Sequence, residues 1–539
     1  MRPPIHLLLV LPFAQPLFAQ ALGPAPEPPE NPVTEEKRVL GKVLFWDEQL
    51  SSDNTVACGT CHIPAAGGSD PRLDMDNRHP GLDEIYGNED DRFASAGVRR
   101  ANAMGLFEAD GLFGFERQVT GRRAPSMIGA GHFDELFWDG RAGTTFVDPL
   151  SGATMISTGG ALETQSLGPI LSFVEMADEG RTWADVTSKL ERVEPLALAG
   201  NLNPDLVAAL AVDPTYPDLF EAAFGDPAIT PVRIAYALAS YQRTLNPDQT
   251  PYDLWQQGVP GAMTSQQIQG FNTFMNPGLR CSTCHPPPFF SDLSYRNIGM
   301  RDIAEDNGRQ SVTGLFSDRG KFKVPSLRNV GLRDRFFHHG DPTWETLFLS
   351  IFIYNQGAGM FNDNKDPILN TVFFAPSTAN AIENFLGSAL TDPRVEDELP
   401  PFDRPKLFSE SGSAATIFGA PRAGSGGFDP KIVATSPGIL GNAEFRIGLN
   451  EALGSTRAIL LFAGRAPTTG MGFSLQPRFV VAQMTSGVGS GGGYATWNGA
   501  IPEDPALAGW RFDFRWYVAD PGALGGWSAS RTARVTLFQ

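Results

Sequence analysis

Cys58-Gly-Thr-Cys61-His62 and Cys281-Ser-Thr-Cys284-His285 are the two stretches on which the reading of this chain turns. C-x-x-C-H is the spacing of c-type haem attachment. The two thiols form thioethers to a porphyrin, and the adjacent histidine takes an axial position on the iron. The sequence has four cysteines, and the two motifs use all of them. Two structural zinc sites or two short disulfides compete with this reading, but neither pair is accompanied by further Cys or His at zinc spacing. The expectation is two covalently bound haem c groups, and redox chemistry with them.

The N-terminus agrees with the compartment in which haem is attached. Arg2 supplies a positive charge, residues 7–18 form a short apolar run, and Ala19-Gln20-Ala21 offers a small-x-small cleavage site, so residues 1–21 read as a signal peptide. Pro12 and Pro16 interrupt the run, which is too short to span a bilayer, and no other stretch approaches transmembrane length. An exported chain without structural disulfides has committed its thiols elsewhere. The expected location is therefore periplasmic or secreted. A formal charge of −18 argues against nucleic acid, whose phosphates it would repel, and against an anionic membrane surface. It would attract a basic electron-donor protein, or serve solubility alone.

At 539 residues the chain is long enough for about three domains. Residues 22–34 read as a Pro-rich tether. Helical patterns at 35–45, 183–192, 204–212 and 231–243 belong to an N-terminal haem domain, 35–245. A second haem domain, 246–404, repeats the arrangement, with helices expected at 264–276 and 343–355. The loops between them are long, and a haem is a large apolar body that can organise them. From residue 405 the composition changes. Gly, Ser and Ala dominate 409–427, which reads as a linker, and short β-like runs follow at 445–449, 458–462, 479–483, 511–518 and 533–538. Trp510-Arg-Phe512-Asp-Phe514-Arg-Trp516 alternates with period two, as a strand buried on one face does. No Cys or His follows His339. The expected fold class is mainly α: two cytochrome c-like haem domains with long loops, plus a C-terminal β-sandwich-like domain, 405–539, without redox chemistry of its own.

Several ordered motifs surround the two haem signatures. Leu40-Gly-Lys-Val-Leu-Phe-Trp-Asp47 and Leu50-Ser-Ser-Asp53 precede the first; Phe137-Trp-Asp-Gly-Arg141, Gln165 and Glu175-Met176 follow it. Lys323-Val-Pro-Ser-Leu-Arg-Asn-Val330 and Phe336-Phe-His338-His-Gly340 follow the second. Over roughly residues 35–390 the chain resembles the bacterial dihaem cytochrome c peroxidase/MauG family. The resemblance implies a cytochrome-c peroxidase-like oxidoreductase. Such an enzyme reduces hydrogen peroxide with electrons from a small c-type cytochrome or other redox protein, passed through the second haem. It also implies an alternative, MauG-like oxidation of a partner protein through a high-valent haem. A non-enzymatic electron-transfer dihaem cytochrome is the reading from another class. Homodimers are common in the family.

The resemblance also assigns residues. It makes the His62 haem the peroxide site and the His285 haem the electron-transfer centre. Glu175 takes the place of the family's distal acid/base, which moves a proton between the two peroxide oxygens. Gln165 matches a residue that orients peroxide, and Trp138 matches the tryptophan between the haems. Many members carry, after the first haem, a histidine that ligates the resting iron. His79 stands in that loop, although Asp74-Met-Asp-Asn-Arg-His79-Pro-Gly departs from the usual pattern; otherwise His79 is a surface residue and the iron is open. Tyr354 falls where a distal Met is expected for the second haem. This resembles the MauG-type pattern of a tyrosine ligand, with Met360 as the rival. His338 reads as structural rather than as a ligand. Family members hold calcium between the haem domains, yet Gly121-Arg-Arg123-Ala-Pro125 puts Arg123 at an Asn position, and Arg333 and Arg335 precede His338. A guanidinium has no lone pair for a cation, so the calcium site is expected to be lost or rearranged. The acidic run at 88–91 is the other place for calcium, or a solvated loop.

Overall fold

The computed structural model describes residues 21–72, 77–355, 357–466 and 475–539. Apart from Ala21, the leader expected at 1–21 lies outside the described residues, as do Asp74, Met75 and Asp76 before His79.

The first core grows around the helix Glu35–Trp46. Thr34 caps it by accepting from the Lys37 N–H, and Glu35 and Glu36 sit in its first turn, where the helix dipole favours negative charge. Leu40, Val43 and Leu44 are fully buried. They pack against the helix Pro231–Thr244, capped by Thr230. The two helices touch backbone to backbone. A Cβ on Gly41 would overlap the carbonyl of Ala237 and press on Cβ of Tyr241. Lys42, buried at the same crossing, is neutralised by Asp205 at 3.0 Å and Asp403 at 2.9 Å, as a buried ammonium requires.

The second core repeats this crossing. Helix Ser265–Phe274 meets helix Pro376–Asn384 at Gly270, where a Cβ would overlap the Ala381 carbonyl and stand 2.8 Å from Cβ of Phe385. Gly41, Ala237 and Tyr241 thus correspond to Gly270, Ala381 and Phe385.

The repeat extends into the loops. Ser69 Oγ donates to the Ala124 carbonyl (2.6 Å) and Ser126 Oγ to that of Gly67 (2.7 Å). In the second unit Ser291 Oγ donates to Val324 (2.6 Å) and Ser326 Oγ to Phe289 (2.7 Å). Gly129 and Asn329, both with φ positive at 70° and 58°, donate their N–H groups to the carbonyls of Leu245 (2.9 Å) and Leu390 (2.8 Å). One haem-sized frame therefore occurs twice, with the loops held by side chain–backbone hydrogen bonds rather than by ladders.

The helices expected at 35–45, 183–192, 204–212, 231–243 and 264–276 correspond to Glu35–Trp46, Trp183–Leu190, Pro204–Val212, Pro231–Thr244 and Ser265–Phe274. The one expected at 343–355 is shorter, Leu347–Phe352. Thr346 caps it by accepting from Leu349 N–H, and the stretch before it is a separate turn begun by Asp341-Pro342. Ala161–Leu171 was not expected, because Gly160, Gly168 and Pro169 read as loop.

The β-rich part consists of antiparallel sheets. Leu475–Met484, Arg457–Arg465, Arg511–Ala519, Thr532–Thr536 and Thr416–Phe418 pair in that order, with Trp527–Ala529 on Arg511–Ala519. Lys431–Val433, Arg446–Leu453 and Ser490–Asn498 form the other sheet. Phe514, Trp516 and Val518 are buried in alternation as expected, against Phe445, Ile447 and Leu449 of the facing sheet. Trp516 Nε1 donates to the Gly448 carbonyl across the gap (3.0 Å). The stretch 409–427, expected as linker, contributes the strand Thr416–Phe418, whose partner is Thr532–Thr536. Helix makes up 30% and strand 18% of the structure. The description "mainly α" therefore suits only the part before the sandwich, where helix shares the chain with long loops.

Gly41→Ala and Gly270→Ala test the crossings. Each forces backbone apart in a packed core, so a destabilisation of about 1–3 kcal/mol is expected, read as a lower denaturation midpoint; an unchanged midpoint would refute the close contact.

Candidate active site

Each C-x-x-C pair forms a single helical turn, Cys58–Cys61 and Cys281–Cys284, and all four thiols are free. Burial pushes the Cys58 and Cys61 thiols up to about 12 and Cys281 to about 11. Gly59 lies flat on the indole of Trp46; a Cβ there would overlap the ring.

The two histidines are held alike. His62 Nδ1 lies 3.1 Å from the Gly68 carbonyl and His285 Nδ1 2.9 Å from that of Phe290. A carbonyl only accepts, so Nδ1 carries the proton and Nε2 keeps its lone pair. Burial lowers the pKa of both rings, which keeps them neutral, as a ligand to iron must be.

One cavity of about 640 Å³ reaches both motifs, from Cys58, Cys61 and His62 to Cys281, Cys284 and His285. Two of the arginines on its wall, Arg123 and Arg333, lie close enough for one charge to act on the other. Arg123 is buried and donates to the Asp70 carbonyl (2.8 Å). Arg333 crosses to the Gly67 turn behind His62, and its Nε is buried without a hydrogen-bond partner among the described residues. The site fits haem on three counts: paired free thiols, a neutral histidine beside each pair, and an unsatisfied cation facing a cavity where a carboxylate-bearing macrocycle would lie.

The waist between the units is built by exchange. The Arg123 N–H donates to the His338 carbonyl (2.8 Å), and the Lys323 N–H donates to the Trp138 carbonyl (2.7 Å). Residues 123 and 323, and 138 and 338, occupy equivalent places in the two frames, so the bonds are related by a pseudo-twofold. Trp138 is 9% exposed, its Nε1 donates to the Arg123 carbonyl (2.8 Å), and its ring stands edge-on to His338 with centroids 6.3 Å apart. His338 stacks on Phe322 at 3.6 Å. Trp138 and His338 both line the cavity.

Glu175 and Gln165 both line this cavity, and the Glu175 charge is close enough to Cys58 and Cys61 to raise their thiols. Gln165 comes from the helix Ala161–Leu171, and Glu175 from the turn after it, where the Glu175 N–H donates to the Ser172 carbonyl (3.0 Å). Burial raises the Glu175 carboxyl above its usual range, opposed by a hydrogen bond with Ser172 and by the Arg141 cation. Arg141, which sequence reasoning quoted in Phe-Trp-Asp-Gly-Arg without giving it a role, lies over the Phe137 ring at 3.6 Å and also lines the cavity.

At the His285 end, Tyr354 lines the cavity, and burial raises its phenol beyond the ordinary value, helped by the neighbouring Cys284 and Cys281. Met360, the rival ligand, is 82% exposed and stands off the cavity wall. His79 is not brought to the cavity either. It sits in the short strand Arg78–His79, with Nδ1 accepting from the Gly81 N–H (3.1 Å) and its ring edge-on to Phe113. Arg78–His79 pairs instead with Arg92–Phe93. In the acidic run, Asp90 accepts from the Leu82 N–H (2.7 Å) and Asp91 pairs with Arg78.

Residues 35–260 match the family model for di-haem cytochrome c peroxidase. The chain is 28% identical to the cytochrome c peroxidase Ccp of Escherichia coli over 352 residues, 64% of this chain and 59% of that protein's length. It is 28% identical to the methylamine utilization protein MauG of Methylophilus methylotrophus over 316 residues, 58% of this chain and 71% of that protein. Among solved structures, a MauG-like protein associated with microbial copper homeostasis aligns with a TM-score of 0.49 at 23% identity, covering 72% of this chain and 97% of that one.

Gly59→Ala is expected to block the first haem turn while sparing the second. Pyridine haemochrome analysis should then fall from two haems per chain to one; two retained haems would refute the tight Trp46 contact.

Proposed function

We propose that this chain, whose residues 35–260 belong to the di-haem cytochrome c peroxidase family, is a di-haem c-type enzyme that reduces hydrogen peroxide with electrons from an external donor. The observation that supports this reading is one cavity lined by two equivalent Cys-Cys-His sites together with Glu175 and Gln165, with the Glu175 charge close enough to Cys58 and Cys61 to raise their thiols. Cys58, Cys61 and His62 would hold one haem, and Cys281, Cys284 and His285 the other. The haems, once bound, supply the iron at which peroxide binds and through which electrons arrive. The N-terminal haem domain, 35–245, serves peroxide, and the second, 246–404, serves electron entry from a small c-type cytochrome or similar redox protein. Periplasmic or secreted location follows from the haem-attachment signatures and the N-terminal apolar run. Among the described residues no helix is long and apolar enough to cross a membrane.

The overall change is H2O2 plus two electrons and two protons to two molecules of water. Gln165 orients peroxide by hydrogen bonding. The Glu175 carboxylate takes a proton from the oxygen bound first and returns it to the oxygen that leaves, which makes that oxygen a better leaving group. A buried carboxyl with a raised pKa suits both halves of the task, since it holds a proton less reluctantly than an exposed one. Trp138, fixed at Nε1 by Arg123 and edge-on to His338, provides the aromatic contact between the two sites. Arg123 and Arg333 match positions that the resemblance gives to a calcium site between the units, and their guanidinium charges would disfavour a cation there.

A second reading, oxidation of a partner protein as in MauG-type enzymes, is favoured by Tyr354. It lies on the cavity wall beside Cys281 and Cys284, whereas Met360 faces solvent. A phenolate is a hard anionic donor that favours ferric iron.

Glu175→Gln is expected to lower kcat/KM for peroxide by about 10²–10⁴-fold with both haems retained; undiminished turnover would sink the acid–base role. Because the working form of Glu175 is the carboxylate and burial raises its pKa, activity should fall as pH drops through a value above the ordinary carboxylate range. That acid limb should vanish in the Gln variant. Tyr354→Phe removes the phenolic oxygen, and the low-spin ferric EPR signal should change at constant haem content; an unaltered signal would exclude Tyr354 as a ligand.

A further inference from the structure

The loop that carries Glu175 is held from three sides, and the third comes from the β-rich unit. On the first side, the Glu175 carbonyl accepts from the Val98 N–H (3.1 Å), and Gly97 lies so close that a Cβ would overlap the Val174 carbonyl. On the second, the Met176 carbonyl accepts from the Ser52 N–H (2.9 Å), and Ser52 Oγ accepts from the Asp178 N–H (2.9 Å), which ties the loop to the segment leading into Cys58. Arg181 adds Nη1 contacts to the carbonyls of Leu50 (2.8 Å) and Ile170 (3.1 Å).

On the third side, Arg446, the first residue of the strand Arg446–Leu453, forms a two-pronged ion pair with Asp178. Its Nη1 lies 3.0 Å from Asp178 Oδ1, and its Nη2 bonds Oδ2. The side chain is 3% exposed and lies over the Phe107 ring at 5.7 Å. It fits beside Gly105, whose φ of +71° turns the chain around the guanidinium. The same sheet also grips, at two points, the neighbouring 101–107 loop, whose Ala101 carbonyl accepts from the Glu179 N–H (2.8 Å). Thr496 Oγ1 accepts from the Phe107 N–H (2.9 Å), and Asn498 Nδ2 donates to the Met104 carbonyl (2.7 Å). Asn54 Nδ2 also donates to Asn442 Oδ1 (3.0 Å).

We propose that the C-terminal β-rich unit clamps the acid–base loop and that Arg446, through Asp178, is a positioning residue for Glu175. The inference rests on the reading of Glu175 as the proton carrier. A planar guanidinium on a carboxylate fixes both distance and orientation, which a lone charge does not. Asp178 is separated from Glu175 by only Met176 and Ala177, so loss of the pair frees one end of the turn. A displacement of about 1 Å in a group that must reach peroxide costs on the order of 10²-fold in rate.

The test uses the full-length holoenzyme with Arg446→Ala, Arg446→Lys, Asp178→Asn, Glu175→Gln and the double variant Glu175→Gln/Arg446→Ala. Arg446→Ala is expected to lower kcat/KM for hydrogen peroxide at least tenfold, with the KM for a reduced cytochrome donor and the haem content unchanged. Arg446→Lys should recover part of the loss, and Asp178→Asn should lose rate in the same direction should the alanine variant not fold. In the double variant the loss should not exceed that of Glu175→Gln, since a residue that acts only through Glu175 has nothing left to position. The clamp is overturned if Arg446→Ala and Asp178→Asn lower only the melting temperature, or if their losses add to that of Glu175→Gln. If Glu175→Gln itself turns over normally, the acid–base reading fails, a result distinct from a disabled Glu175→Gln with a silent Arg446→Ala.

Discussion

The exchange of backbone hydrogen bonds across the waist, Arg123 to His338 and Lys323 to Trp138, is the constraint on which the rest of the molecule depends. Each half supplies a donor to the residue equivalent to the one it offers as acceptor. These are backbone groups in a buried place, so neither half can leave its partner without orphaning them. The two C-x-x-C-H turns are consequently fixed relative to one another through loops, although each turn is short and carries few contacts of its own. The Trp138 ring is fixed by the same loop, because its Nε1 donates to the carbonyl of Arg123, whose N–H makes one of the exchanged bonds.

The internal repeat explains much of the loop architecture. Ser69 and Ser126 close the first frame as Ser291 and Ser326 close the second. Gly41 and Gly270 allow the same close helix crossing. Divergence is concentrated where the two sites must differ. Trp138 faces His338, and Phe133 takes the place of Arg333. Phe133 packs edge-on against Phe289 behind the second motif, while Arg333 leans on the Gly67 turn behind the first. One position in the frame is thus apolar on one side and cationic on the other.

Much of this was legible in the sequence, for identifiable reasons. The haem turns, the capped amphipathic helices and the alternating Trp510–Trp516 run are local patterns, and local patterns survive in a single sequence. The helix bearing Gln165 was hidden by Gly160, Gly168 and Pro169, which tertiary packing overrides. The short strand that includes Thr416 was hidden in a Gly- and Ser-rich stretch, because its stability comes from pairing with Thr532–Thr536 rather than from its own side chains. His79 follows the first motif closely in sequence, yet it is paired in a short strand with Arg92 and is absent from the cavity lining, a long-range pairing that a single sequence does not show. The repeat of the two haem units was legible, but its residue-by-residue equivalences were not, because the spacing between equivalent residues changes along the chain, from Cys58 and Cys281 to Ser126 and Ser326.

The ion pair between Arg446 and Asp178 also bears on when the molecule becomes complete. A polypeptide is made from its N-terminus, and domains fold as they emerge. Cys58 and the turn bearing Glu175 appear early, while the guanidinium that grips that turn appears only after both haem frames have been synthesised. The loop is therefore synthesised before its third support. In such an order the turn bearing Glu175 is laid down early and its last fastening arrives with the C-terminal strands, which close it as a latch closes a door already hung.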